Sequence, residues 1–130
     1  MIHVPPNRID EYWPRVREGL QRIIDKTPYQ LGWAPGDVLC ALASQGAYLA
    51  IEDDGFMVWQ RLSGDDGRGV LFVWALCCDD MAPRIDAFYP ELEQMARDVK
   101  CKTIRLVGRK GWAAHDFWHS AGYVYEHEVK

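Results

Sequence analysis

The sequence predicts an α/β (α+β) domain built on one mixed, mostly antiparallel sheet with helices on its faces. Three observations predict it. The apolar spacing alternates between strand and helix periods in the order β-α-α-β-β-β-α-β-α-β. Val70 to Cys78 is a nearly continuous apolar run, the pattern of a strand buried on both faces at the centre of a sheet. The chain has 130 residues, 48% of them hydrophobic and 26% charged, a composition that folds and a length that supports one core. A single domain over 1–130 is therefore expected.

Each element has a local reason. Ile2 to Val4 is short and apolar and ends at Pro5-Pro6, which predicts an edge strand. Asn7 can cap a helix, and Ile9, Tyr12/Trp13, Val16, Leu20 and Ile23/Ile24 recur at helical spacing through Asp25. Pro14 removes a backbone donor within that pattern, so a kink or restart is expected there. Thr27 to Trp33 reads as a loop. Pro35 to Ser44 reads as a shorter helix with Val38, Leu39 and Leu42 inward and Gly46 as its stop. Ala47 to Glu52 and Phe56 to Leu62 are strands around a hairpin turn at Asp53-Asp54-Gly55. A polar loop from Ser63 to Gly69 leads into the Val70–Cys78 strand.

Pro83 suits the first turn of a third helix, whose apolar face is Ile85, Phe88/Tyr89, Leu92, Met95/Ala96 and Val99. Thr103 to Val107 is a strand, Gly108 to Gly111 a turn, Trp112 to Ser120 a short helix, and Tyr123 to Val129 the last strand. Arg8-Ile-Asp-Glu-Tyr-Trp-Pro14 echoes Arg84-Ile-Asp-Ala-Phe-Tyr-Pro90, two amphipathic helices with a proline bend rather than a repeat architecture.

Composition removes several function classes. The formal net charge is −4, which disfavours a nucleic-acid coat. No apolar run is long enough to span a bilayer, and the start lacks the apolar stretch of a signal peptide, so no membrane association and a cytoplasmic location are expected. Cys40, Cys77, Cys78 and Cys101 show no CxxC spacing, so a cysteine zinc site is not expected and the four are read as small buried hydrophobes. Neighbouring Cys77 and Cys78 should face opposite sides of their strand. The tryptophans, each with an N–H to satisfy, cannot all be fully buried, which leaves room for an aromatic interface and a homodimer.

Ala114-His-Asp-Phe117-Trp118-His-Ser-Ala-Gly122-Tyr123 resembles the late helix-to-strand motif of the GNAT N-acetyltransferase superfamily, and the element order is similar over nearly the whole chain. Ala114 and Phe117 would lie on the packed face of that helix, Gly122 would end it, and Tyr123 would open the last strand. The resemblance implies acyl-CoA-dependent N-acyl transfer to a small-molecule or protein amine, with acetyl-CoA as cosubstrate and no metal. Small GNAT-like proteins with a Gly-Arg-Lys-Gly-Trp turn, here Gly108 to Trp112, resemble ones encoded by tailed bacteriophages, which implies host cytoplasm or a virion.

The resemblance also implies a site. Acyl-CoA would lie between the Val70–Cys78 and Thr103–Val107 strands, with backbone N–H groups near Leu76, Cys77 and Cys78 polarising the thioester carbonyl. Arg84, Arg109 and Lys110 would meet the phosphates, and Ala114, Phe117 and Trp118 the pantetheine side. The family's glycine-rich pyrophosphate loop falls on Cys78-Asp-Asp-Met-Ala-Pro-Arg-Ile85, which has no glycine and loses a donor at Pro83. Trp118 stands where the family often has a tyrosine acid, and indole is a poor proton donor to a leaving thiolate. Glu52 and Glu126 are the strand-end candidates for the base. A second reading shares the fold: a scaffold without catalysis that binds a protein partner.

Other constellations are weaker. His115 and His119 share a helix face as a zinc pair would, but a catalytic zinc needs a third ligand, and only His3 and His127 remain among the histidines. Lys100, Lys102, Arg105, Arg109 and Lys110 cluster within eleven residues, as a phosphate-binding or a solubilising rim. Asp53, Asp54, Asp65 and Asp66 are accounted for by turn chemistry.

Overall fold

Apolar residues alternating at strand spacing and recurring at helix spacing give seven strands and three α-helices in the computed structural model, which describes residues 2–27, 30–64, 66–78, 85–107, 119–121 and 124–129. The elements are β1 (Ile2–Val4), α1 (Ile9–Lys26), α2 (Pro35–Ala43), β2 (Tyr48–Glu52), β3 (Gly55–Ser63), β4 (Gly69–Cys78), α3 (Ile85–Asp98), β5 (Cys101–Val107), β6 (His119–Ala121) and β7 (Val124–Glu128). The strands order as β1-β2-β3-β4-β5-β7-β6. β4 pairs with β5 in parallel, while β1 with β2, β2 with β3, β5 with β7 and β6 with β7 are antiparallel. A parallel pair needs a crossover, and α3 supplies it. The expected mixed α/β sheet is what forms. Contacts divide the chain into two compact units: Met1–Trp59 with Ala75–Asp79, and Gln60–Trp74 with Asp80–Lys130.

The first unit packs α1 and α2 with β1, β2 and the start of β3. Val16 and Leu20 of α1, Val38 and Leu42 of α2, and Leu49 and Val58 of the strands are fully buried. Burying each such side chain contributes roughly 1.5–3 kcal/mol. α1 begins differently from expectation. Pro6–Arg8 form a 3-10 turn, and Asn7 falls inside it rather than at the cap; Arg8 precedes the helix with no side-chain cap bond. Arg8 instead grips Glu11 with two nitrogens, at 3.1 and 2.9 Å. That hydrogen bond holds the Glu11 carboxyl below its usual range.

Pro14 neither breaks nor restarts α1, which runs unbroken to Lys26. Asp10 and Pro14 are both exposed, so the carbonyl left without a helical donor is open to water. α3 repeats the device with Pro90.

α2 starts at Pro35, with the Asp37 carboxylate accepting the Ala34 N–H at 2.8 Å. Its end is not made by Gly46. Gln45 takes the left-handed conformation at φ 63, while Gly46 N–H bonds Ala41 O and Gln45 N–H bonds Leu42 O. These are the two backbone bonds of a Schellman stop with glutamine in the usual glycine position. Cys40 is exposed on this helix, against the expectation that the cysteines are buried.

In the second unit, α3 lays Tyr89, Leu92 and Ala96 inward while Ile104 and Leu106 of β5 are buried. β5 pairs with the first half of β4, from Gly69↔Cys101 to Val73↔Leu106. Gly69 is required there: a Cβ would stand 2.9 Å from Lys100 O and 2.7 Å from an Arg61 nitrogen. Arg61 Nε also donates to Val99 O at 2.8 Å, which ties β3 to the end of α3. His119 and Ser120 were expected to end a helix; they pair in β6 with Glu126 and Tyr125 of β7. The rest of the expected Trp112–Ser120 helix, the Gly108–Gly111 turn and the Pro83 helix start lie outside the described residues.

Candidate functional site

α1 carries one polar stripe, Arg15, Glu18 and Arg22, at i, i+3 and i+7. Its opposite face is pinned to the core by Val16 and Leu20. The stripe therefore has a fixed direction, and in the first unit it borders a cleft of about 280 Å³ shared with Asp54, Gly55, Phe56 and Cys77. Gly19 sets how near α1 comes to that floor. A Cβ there would lie 2.4 Å from Phe56 Cε1 and 3.1 Å from Cys77 Sγ. Only a glycine lets the helix sit this close.

The hairpin turn between β2 and β3 closes one side. Glu52 pairs with Gly55, leaving Asp53-Asp54 as a two-residue turn. Arg15 Nη2 donates to Glu52 O and, at 2.8 Å, to Gly55 O. The guanidinium is thus held in place by two backbone carbonyls. Arg22 Nη2 reaches Cys77 Sγ at 3.7 Å, from α1 to β4 across 55 residues of sequence. The cleft therefore holds two guanidinium groups, two carboxylates, a thiol and an aromatic floor. It has no formal net charge and a fixed cation on one wall.

In the second unit, ion pairs join β5, β7 and α3. Arg105 Nε donates to Glu126 Oε1 at 2.7 Å across the β5–β7 register pair. His127 Nε2 lies 2.7 Å from Glu93 Oε1, joining β7 to α3, and Arg97 bonds the same carboxylate at 3.1 Å. Among the described residues, no group of three or more His, Cys, Asp or Glu is placed to hold a metal ion. No helix among them is long and apolar enough to cross a membrane.

The architecture matches solved structures closely. A GNAT family acetyltransferase from Brucella melitensis, solved with acetyl-CoA, aligns with 92% of this chain and 83% of its own at a TM-score of 0.65 and 14% identity. The NatC complex bound to Gag peptide and CoA aligns over 99% of this chain and 98% of the matched chain, at a TM-score of 0.66 and 11% identity. A GNAT family acetyltransferase from Listeria monocytogenes covers 99% of this chain and 93% of its own, at a TM-score of 0.60 and 10% identity. The chain has the GNAT acetyltransferase fold. No family model and no curated protein matches its sequence.

Within the GNAT fold the sequence-predicted residues separate. Leu76 and Cys77 lie on the second half of β4, both half-buried, and Cys78 ends that strand. Glu52 ends β2 in the first unit, while Glu126 sits on β7 in the second, bonded to Arg105. Arg84, Arg109, Lys110, Ala114, Phe117 and Trp118 lie outside the described residues. The basic cluster is divided in the same way: Lys100 and Lys102 are exposed, Arg105 is paired, and Arg109 and Lys110 are not described.

Arg15, Glu18, Arg22, Asp54 and Phe56 were not expected as site residues. The spacing of the first three on one helix face was their only sequence signal. Cys77 is the one residue that belongs both to the expected site and to the cleft.

Proposed function

We propose that this protein is an acyl-CoA-dependent N-acyltransferase acting on a small-molecule or peptide amine. The observation that supports the reading most is the near full-length correspondence with GNAT acetyltransferases, one of them solved with acetyl-CoA and another with CoA. In the reaction, the neutral amine attacks the thioester carbonyl. A C–N bond forms, the C–S bond breaks, and CoA leaves as its thiol. Backbone N–H groups of Leu76, Cys77 and Cys78 are assigned to the developing oxyanion, where fixed donors act most strongly. Arg84, Arg109 and Lys110 are assigned to the phosphates of acetyl-CoA. Ala114, Phe117 and Trp118 are assigned to the pantetheine wall. Glu52 and Glu126 remain the candidates for the proton acceptor, and the Glu126 carboxylate bonds Arg105.

A second reading follows from the segment Cys78 to Ile85, which has no glycine and contains Pro83. A loop without close backbone approach binds pyrophosphate poorly. On that reading the fold is a binding scaffold for a protein partner. Calorimetric titration with acetyl-CoA and with CoA separates the two. Dissociation constants on the order of micromolar support the transferase, and no heat at millimolar ligand rejects it. An acceptor screen that follows CoA release then identifies the amine.

A further inference from the structure

The cleft between α1 and the β2–β3 turn has a charge pattern that neither the fold nor the acyl-transfer reading explains. A polyanion pocket would show an excess of cations. A bare cation site would show converging carboxylates. This cleft instead places Arg15 and Arg22 together with Glu18 and Asp54 around about 280 Å³, over the apolar ring of Phe56. The volume suits a molecule of a few to a dozen heavy atoms, at the small end of ligand pockets. Arg15 is preorganised, because Nη2 is anchored on Glu52 O and Gly55 O; among the described residues both of its hydrogen bonds leave from that nitrogen. A fixed guanidinium loses little freedom when it receives a carboxylate.

From this geometry we infer that the cleft binds a small zwitterion of the amino-acid type, with its carboxylate received by the arginines that line it and its ammonium by Glu18 or Asp54. A ligand that carries one charge of each sign matches a lining that carries both signs and no formal net charge. A simple amine or a simple carboxylate matches only half of it. The inference rests on the acyl-transfer reading for its chemistry and names the acceptor class of that reaction. Cys77 makes the connection, since it lines the cleft and belongs to the β4 segment assigned to the thioester carbonyl. The ammonium gives up one proton to bulk water. The amine lone pair then forms the C–N bond as the C–S bond breaks, and the second proton shed by the nitrogen ends on the sulfur, so that CoA departs as the thiol.

The test is a calorimetric and amide-NMR titration of the full chain with glycine, β-alanine and 4-aminobutyrate, set against ethylamine and propionate. At least one zwitterion should bind about tenfold more tightly than either single-charge analogue, with shifts confined to α1, the β2–β3 turn and the end of β4. Arg22→Gln and Glu18→Gln should each weaken that binding about tenfold, while Arg17→Gln, an exposed α1 residue outside the cleft, should not. Circular dichroism of each variant confirms that it is folded. Propionate binding as tightly as the zwitterions, or no zwitterion-induced shift at the cleft, overturns the inference. Titration of the same sample with acetyl-CoA tests the other reading by itself. Acetyl-CoA binding without zwitterion binding rejects this inference and keeps the transferase, and the reverse result rejects the transferase and keeps the site.

Discussion

Replacing Gly19 with alanine sets two effects of known size against each other. Glycine inside a helix is less favourable than alanine by about 1 kcal/mol, so the exchange alone should stabilise α1. The new Cβ, however, would stand 2.4 Å from Cε1 and 2.8 Å from Cζ of Phe56. Ordinary carbon contacts are about 3.5–4.0 Å, so one partner must yield by roughly an ångström. Phe56 is 4% exposed and its ring is rigid, so relief requires an off-rotamer ring or a lifted helix. Overpacking of that kind costs about 1–3 kcal/mol. The clash should win, leaving Gly19→Ala less stable than wild type by about 1 kcal/mol. Gly36→Ala on α2 is the control, because nothing lies within 4 Å of its Cβ, and it should gain up to about 1 kcal/mol. At about 4 °C per kcal/mol for this length, the two melting points should differ by roughly 8 °C. Thermal and urea unfolding followed by circular dichroism measure both. A Gly19→Ala protein that melts at or above wild type would show that α1 does not press on Phe56, and the account of the cleft floor would fall with it.

Other positions give equally direct outcomes. Gln45 and Lys100 both hold left-handed backbone at helix ends, at φ 63 and φ 60, so Gln45→Gly and Lys100→Gly should each stabilise by about 1 kcal/mol in urea unfolding. Among the described residues, Trp59 Nε1 is the buried side-chain polar atom without a hydrogen-bond partner. Trp59→Phe should therefore be no less stable than wild type, since losing the orphan donor gains about 1–3 kcal/mol against about 1 kcal/mol for the smaller ring. Reaction with a thiol reagent should follow exposure, with Cys40 first, Cys77 slower and Cys101 only on unfolding. Burial pushes the Cys101 thiol above its ordinary range, with the Arg61 charge opposing more weakly. The unfolded chain then releases that proton at lower pH than the native one. The stability it contributes is intact below about pH 8.5 and is lost as pH rises toward the raised value. Cys101→Ala should flatten that part of the alkaline decline in melting temperature.

The sheet was legible because its signals are local. The apolar stretch of β2, the continuous apolar run of β4 and the turn residues Asp53-Asp54-Gly55 between β2 and β3 are each readable without knowledge of the rest, although Gly55 opens β3 rather than closing the turn. The helix ends were less legible. Asn7 and Gly46 carry the right chemistry for a cap and a stop, yet backbone bonds closed α2 one residue earlier, at Gln45. Pro14 suggested a break, but an exposed proline loses only a bond that water replaces. The cleft was least legible. Arg15, Glu18 and Arg22 look like the solvated face of any amphipathic helix until Asp54 of the β2–β3 turn and Cys77 of β4 arrive from far along the chain. Which polar face meets another is tertiary information, and periodicity does not contain it.

α1 uses different faces for different tasks: Val16 and Leu20 anchor it, Gly19 sets its distance from the sheet, and Arg15, Glu18 and Arg22 border the cleft. Glu18 and Arg22 are exposed, so exchanging them changes charge with little change in packing. Arg15 is different, because its two carbonyl bonds brace the hairpin turn, and its loss removes a charge and loosens a wall together. Gly19 moves the floor without touching any charge. Ligand binding that falls in Arg22→Gln at unchanged stability, and in Gly19→Ala in step with stability, would therefore assign electrostatics to the stripe and geometry to the glycine. Equal losses of binding and stability in both would mean that the cleft is only the packing seam of α1.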